Sequence, residues 1–382
     1  MANRGRIQAL DLLRGAFLIE IIANHIPWAP SIYILLGGGG RLPASAAEGF
    51  FTISGLLVGY LYAPKILQNT WAITKKLWKR AALLYVLSTL FTLIFAAWAT
   101  LDPLHAKWPG VYGGTTWELL YQTFTLQYVY GWADFLARYA VFMAVAPLAV
   151  WLVAKHRGWL VAGVAVGLWA WLRHTSVFQP YSTWQVVFML GVVAGYYLPH
   201  LEESYYNLKK RTQNILFSGV VGATLVSYFA FIVVIIVLPY LADHSTVTEG
   251  VKQGILQYFD KDTLDPARLL LGAVWFTGFY MLFRRFERGI SKLTLGVLEV
   301  FGRQSLFVYG LHAFILFAIG MYLAPPAGHS VVANTIVTTL VLAAIYYAAA
   351  YRRWFTEFGR ACLAKSPKLR YHKPKYARFL SK

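Results

Sequence analysis

The chain has 382 residues, of which 58% are hydrophobic and only 13% charged, and its mean hydropathy is +0.52. A soluble domain of this size would need far more polar surface to cover its core, so the composition excludes one and predicts an all-α, polytopic integral membrane bundle. The formal net charge of +19 would suit a nucleic-acid binder, but the placement of the basic residues argues against nucleic acid as a partner.

Apolar runs closed by Lys/Arg clusters or Pro/Gly turns predict about ten spanning helices, near 9–27, 46–63, 81–101, 132–154, 158–172, 183–200, 214–240, 267–284, 303–323 and 331–350. With the N-terminus inside, 27 of the 35 basic residues fall on cytoplasmic segments and 6 on outer ones, Arg268 at a boundary among them. That asymmetry is the positive-inside pattern, and it predicts both termini in the cytoplasm. Residues 1–350 read as one membrane domain. Residues 351–382 read as a basic cytoplasmic tail, in which "RYHKPKYARFLSK" interleaves cations with Tyr371, Tyr376 and Phe379 and could meet anionic headgroups. The first span carries Asp11, Arg14, Glu20 and His25, which a cleaved signal would not, so it is expected to be retained.

In that first span, "RGAFLIEIIANHIPW", Arg14 and His25 are eleven residues apart. This is three turns plus about 20°, so both side chains project from one face, about 16 Å apart along the axis. Ionisable groups inside hydrocarbon need a partner, water or a task. In the second span Glu48, Thr52, Gly55 and Gly59 share a face whose small residues admit close approach by a helix or ligand. Antiparallel pairing of the two spans predicts Glu48 at the depth of His25, where a carboxylate would orient an imidazole acting as general base. The plainer alternative pairs Glu48 with Arg41 and leaves His25 at the outer interface.

Further along, Asp134 and Arg138 form an i, i+4 pair, read as structural. Ser305, Tyr309 and His312 form a polar stripe in the ninth span, with Arg303 at its cytoplasmic mouth. It would serve either as interhelical packing or as a donor or acceptor contact. Outer segments are aromatic, with Trp28, Trp108, Tyr112, Trp117, Tyr128, Tyr130 and Trp132. These rings suit sugar stacking, although interface belts have the same composition. Nine scattered histidines and the single Cys362 support neither a metal centre nor a disulfide framework. No Gly-rich phosphate loop and no internal repeat is visible, which counts against nucleotide hydrolysis and an inverted-repeat transporter.

The arginine and histidine separated by ten residues after "ALDLLRG" resemble the motif of the acyltransferase-3 superfamily of integral membrane O-acyltransferases. "ANHIP" (23–27), "AEGFFTISGLLVGYLY" (47–62), "DFLARYAVFMAVAPLAVWL" (134–152), "TWQVVFMLGVVAG" (183–195) and "FGRQSLFVYGLH" (301–312) resemble, in order, its OpgC branch, which acylates periplasmic glucans. The resemblance implies a bacterial inner-membrane enzyme with acyl-CoA, acetyl- or succinyl-CoA, as co-substrate on the cytoplasmic side, and a hydroxyl of an extracytoplasmic glycan or glycolipid as acceptor. It implies His25 as the catalytic residue and Arg14 as a support for donor binding or the catalytic face. Glu48 joins them as orienter, and Arg303, Ser305, Tyr309 and His312 are the further donor-side candidates. Asn24, Trp28, Ser54, Trp184 and Gln185 are the acceptor-side candidates, and Asn24, Ser54 and Tyr309 are also candidate oxyanion donors. This chain departs from the pattern in a long, mixed-charge outer segment at 241–265 and in "GGGG" at 37–40.

Coenzyme A is too polar to cross a bilayer, but its thin pantetheine arm could thread a bundle, with an arginine at the inner end and a histidine at the thioester. Direct transfer with His25 as base and a two-step route through an acyl-histidine both fit. The same ionisable residues also suit a proton-coupled exporter or flippase of a glycan or lipid, or a sensor without turnover.

Overall fold

The computed structural model describes residues 5–102, 110–242, 245–323 and 330–365. Trp108 and the tail beyond residue 365 lie outside the described residues. All regular structure among the described residues is helical. The long helices are α1 (Gln8–His25), α2 (Ala46–Ile66), α3 (Thr70–Leu101), α4 (Asp134–Ala154) and α5 (Gly158–Leu172). They continue with α6 (Tyr181–Asn207), α7 (Lys210–Ile232), α8 (Pro266–Arg285), α9 (Ser305–Tyr322) and α10 (Val331–Lys365).

Eight helical segments are long and apolar enough to cross a membrane, which makes this a multi-pass membrane protein. The two predicted spans outside that set fall short for opposite reasons. α1 carries Asp11, Arg14 and Glu20 within 18 residues, and α5 is apolar but only 15 residues long. α10 runs without a break through residue 350, so no structural boundary separates the bundle from the start of the expected tail. α9 begins two residues later than its predicted span. Gln304 separates it from a short helix, Val297–Arg303, which carries Arg303.

Local chemistry fixes several helix starts. Ser45 and Glu48 form a capping box at the N-terminus of α2, the Asn69 side chain accepts from the Ala72 amide at 3.0 Å to open α3, and Pro266 stands in the first turn of α8, where its missing N–H costs nothing. The segment 241–265, expected on the outer side, contains a capped helix, Thr246–Leu256.

Glycines set the tightest contacts. A Cβ on Gly55 would lie 2.0 Å from the Phe188 carbonyl oxygen, one on Gly59 1.9 Å from that of Val192, and one on Gly195 1.9 Å from that of Leu56. Gly55 and Gly59 of the second-span stripe therefore receive α6, while Glu48 and Thr52 at its other end line a cavity. Beside it, Phe51, Phe135, Phe142, Trp184 and Phe188 pack as a buried aromatic layer between α2, α4 and α6. α1 lies against the Val297–Arg303 helix through Gly15 and Gly302, whose absent Cβ atoms let backbone meet backbone. These contacts hold α1 inside the bundle, where its charges must be accommodated.

Candidate functional site

Following α1 from its N-terminal end, the ionisable side chains have distinct surroundings. Asp11 is buried and paired with Arg6. Arg14 is half-buried with its guanidinium 5.6 Å from the centre of the Phe50 ring, and its Nε has no hydrogen-bond partner. Glu20 accepts from the Ala46 amide at 3.1 Å, placing a carboxylate at the N-terminus of α2, where free amides and the helix dipole favour negative charge.

His25 closes the helix. Its ring stacks on His312 of α9, with centroids 5.9 Å apart and planes 15° apart, and lies 6.2 Å from the Trp132 ring. The His25 side chain is exposed. His312 is fully buried. Its Nδ1 is engaged by the Tyr309 carbonyl one turn earlier, so the proton belongs on Nδ1 and Nε2 presents a lone pair, and that Nε2 has no partner. Tyr309 donates its hydroxyl to the Trp132 carbonyl at 2.6 Å, tying α9 to the residues that lead into α4. Below it Arg138 pairs with Asp134 at 2.5 Å and covers the Trp184 ring at 4.9 Å. Two imidazoles, one open and one dry, thus face each other across a helix interface, with an aromatic ring at their side.

The carboxylate expected beside His25 is engaged elsewhere. Glu48 forms a buried ion pair with Arg268 of α8 and also accepts from the Ser45 amide at 3.1 Å. Arg268 donates further to the Phe259 carbonyl at 3.0 Å, and its Nη2 is unpartnered. The physical reason is charge balance: Arg268 is 3% exposed and needs an anion, whereas Arg41, the alternative partner, is exposed to solvent. A neutral imidazole with backbone and aromatic neighbours has no such requirement.

Several expected contacts are structural in this arrangement. Trp184 is 1% exposed and packed between Phe51 and Arg138, so it cannot reach an acceptor without opening the core. Gln185 donates to the Ala165 carbonyl at 2.8 Å and fastens α6 to α5. Ser54 is buried within α2. Asn24 is turned with Glu20 toward Gly37, away from the histidine pair. Arg303 lies on the helix before α9, exposed and 3.5 Å from Glu299, so it does not extend the stripe of Ser305, Tyr309 and His312. Trp28 follows the C-terminal end of α1, its indole N–H donating to the Leu323 carbonyl at 3.3 Å. Among the described residues no cluster of three potential metal ligands occurs.

A cavity of about 710 Å³ is bounded by α1, α2, α6, α7 and α8, with Glu20 of α1 in its lining, and neither His25 nor His312 lines it. Two residues named in the sequence only as an aromatic ring and a boundary cation have partners that the sequence reading did not give them. Trp132 belongs to the histidine cluster, and Arg268 completes the ion pair. An arginine in the first turn of an apolar helix was the available signal for Arg268, obscured by its place at the span boundary.

A family model described as OpgC protein matches residues 6–357. The chain belongs to the OpgC family. Membership points to a membrane O-acyltransferase acting on glucans. No curated relative matches the sequence. The family match spans α1 to α10, so His25, His312, Arg14 and the Glu48–Arg268 pair all lie within the part of the chain that defines the OpgC relationship.

Proposed function

We propose that this OpgC-family protein transfers an acyl group, acetyl or succinyl, from cytoplasmic acyl-CoA to a hydroxyl of an extracytoplasmic glucan or glycolipid, and that it is a bacterial inner-membrane member of the acyltransferase-3 superfamily. About ten spans with both termini in the cytoplasm fit the distribution of basic residues. The observation that carries the mechanism is the stacked pair of His25 and His312, one ring exposed and the other presenting a bare, buried Nε2.

In direct transfer an imidazole takes the proton of the acceptor hydroxyl as its oxygen attacks the thioester carbon. The new C–O bond forms, the C–S bond breaks, and the thiolate of CoA leaves and takes the proton back from the imidazolium. In the two-step route His25 nitrogen attacks first, CoA leaves as thiol, and the acyl-imidazole passes its acyl group to the hydroxyl. Either route needs an accessible imidazole, which His25 supplies. Arg14, one face of α1 away toward the cytoplasm, supports the donor: its unpaired Nε and its position over Phe50 leave hydrogen-bonding capacity for a phosphate or the amides of the pantetheine arm. Trp132 and Trp28 offer flat surfaces for a sugar ring at the outer end.

The test is release of free CoA by purified protein given acetyl-CoA or succinyl-CoA, with and without cell-envelope glucans, beside the His25→Ala variant. Release that requires both glucan and His25 is expected. Folded protein that releases no CoA from any donor would overturn the proposal and leave the exporter.

A further inference from the structure

The 710 Å³ cavity has two unlike ends. Its outer end is closed by Glu48 and Arg268, whose charges cancel, and by Glu20, whose carboxyl group accepts from the Ala46 amide at 3.1 Å. Its walls are apolar, from Leu190, Ala194 and Leu198 on α6, Phe217 on α7 and Phe276 and Phe279 on α8. At the inner end Glu202 is satisfied by the Tyr280 hydroxyl at 2.8 Å and by Arg284 at 2.9 Å, and Arg284 also meets Glu287. Two cations then remain. Lys210 is 3.3 Å from the Gln213 amide oxygen, Arg285 lies over the Phe217 ring at 4.6 Å, and both are exposed with no carboxylate within ion-pair distance among the described residues.

Arg268 and Arg285, seventeen positions apart on α8, are separated by about 25 Å of helix axis, most of the ~30 Å hydrocarbon thickness. α8 packs along α7 and against α1, which leaves the slot between that pair and α6 unfilled by protein. Water is a poor occupant of a slot with such walls, since it needs several polar partners. An apolar chain with one anionic end matches the slot in length, polarity and charge.

We propose that this slot is a binding site for an anionic glycerophospholipid, with its phosphate held by Lys210 and Arg285 and one acyl chain lying between α6, α7 and α8 toward the Glu48–Arg268 pair. The site is separate from the histidine pair and does not depend on the acyl-transfer proposal. The one-ended charge selects the lipid's orientation, headgroup toward the cytoplasmic face.

Native mass spectrometry of the detergent-purified full chain, loaded with phosphatidylglycerol or with phosphatidylcholine of the same chains, tests this. Preferential retention of phosphatidylglycerol is expected, weakened about 30-fold in Lys210→Gln/Arg285→Gln if each cation contributes what a basic residue near an anionic leaflet does. Ala194→Trp, which fills the slot and keeps the cations, should lose both lipids. A thermal melt of each variant separates loss of lipid from loss of fold, and if the double variant unfolds, Ala194→Trp and competition between the two lipids on unaltered protein still decide. Equal retention of the two lipids, or retention indifferent to Ala194→Trp in folded protein, would overturn the site. So would displacement of the lipid by acyl-CoA that Ala194→Trp abolishes, since the slot would then be a donor channel.

Discussion

The His25–His312 pair and the Glu48–Arg268 pair are both polar contacts within the bundle, yet they are built on opposite principles. Glu48 and Arg268 neutralise one another, and backbone groups at Ser45, Leu42 and Phe259 take up most of their remaining hydrogen-bonding capacity. The histidine pair is held by one backbone carbonyl and by stacking, and keeps an imidazole nitrogen without a partner. Each pair keeps one buried nitrogen without a partner, Nη2 of Arg268 and Nε2 of His312, so what distinguishes the histidines is access: the ring of His25 is exposed, whereas Glu48 and Arg268 are both buried. The contrast separates a group that holds helices together from one that waits for a substrate.

The comparison breaks first at His25. Replacing it with Ala should leave the melting temperature close to that of the parent and reduce CoA release about 10²–10⁴-fold, the range a positioned acid–base group supplies. A loss of fold in place of a loss of turnover would make His25 a structural residue like Glu48. At the other pair the reverse is expected. Arg268→Met strands the Glu48 carboxylate in a buried site and should destabilise the protein by about 3–5 kcal/mol, whereas the double change Glu48→Gln/Arg268→Met should recover most of that loss. Chemical denaturation in mild detergent measures both, and a double variant no better than the single one would show that the two side chains do more than balance charge.

Much of the helical architecture follows from apolar run length, because burial in a bilayer leaves few alternatives to helices. The pairing of polar side chains was less legible. Periodicity along α1 places Arg14 and His25 on one face, but periodicity within a helix carries no information about which helix faces it. Glu48 was assigned to His25 by depth, and depth alone cannot choose between a histidine on α1 and an arginine on α8. His312 was visible as part of a stripe, whereas its stacking on His25 depends on the approach of α9 to α1, which no spacing encodes. Trp184 and Gln185 lie in a family-like stretch, where the structure places one in the aromatic core and has the other donate to the Ala165 carbonyl of α5.

Between these extremes lie the glycines. Gly195→Ala would push a methyl group against the Leu56 carbonyl at 1.9 Å, and α2 and α6 would have to separate. Overpacking of this kind costs about 1–3 kcal/mol. Because Glu48 sits on α2, the same variant should weaken the ion pair's protection as well, so its loss is expected to be smaller than additive with that of Arg268→Met. A melt of the two singles and the double measures this, and strict additivity would mean that α2 moves without disturbing Glu48.

The smallest effect belongs to Gln185, and it is the sharpest on role. Its amide donates to Ala165 at 2.8 Å and to Ser182 at 3.3 Å, so Gln185→Leu removes one interhelical hydrogen bond and should cost about 1 kcal/mol in stability. An acceptor contact would instead raise the KM for glucan while leaving the fold intact, because uniform binding energy would be lost. Steady-state kinetics with varied glucan therefore divides the two roles: an unchanged KM with a lowered Tm places Gln185 with the fastening groups, beside Glu48 and Arg268. A raised KM with an unchanged Tm would mean that α5 and α6 open to admit the acceptor, and the division between holding and waiting groups would have to be redrawn at that interface.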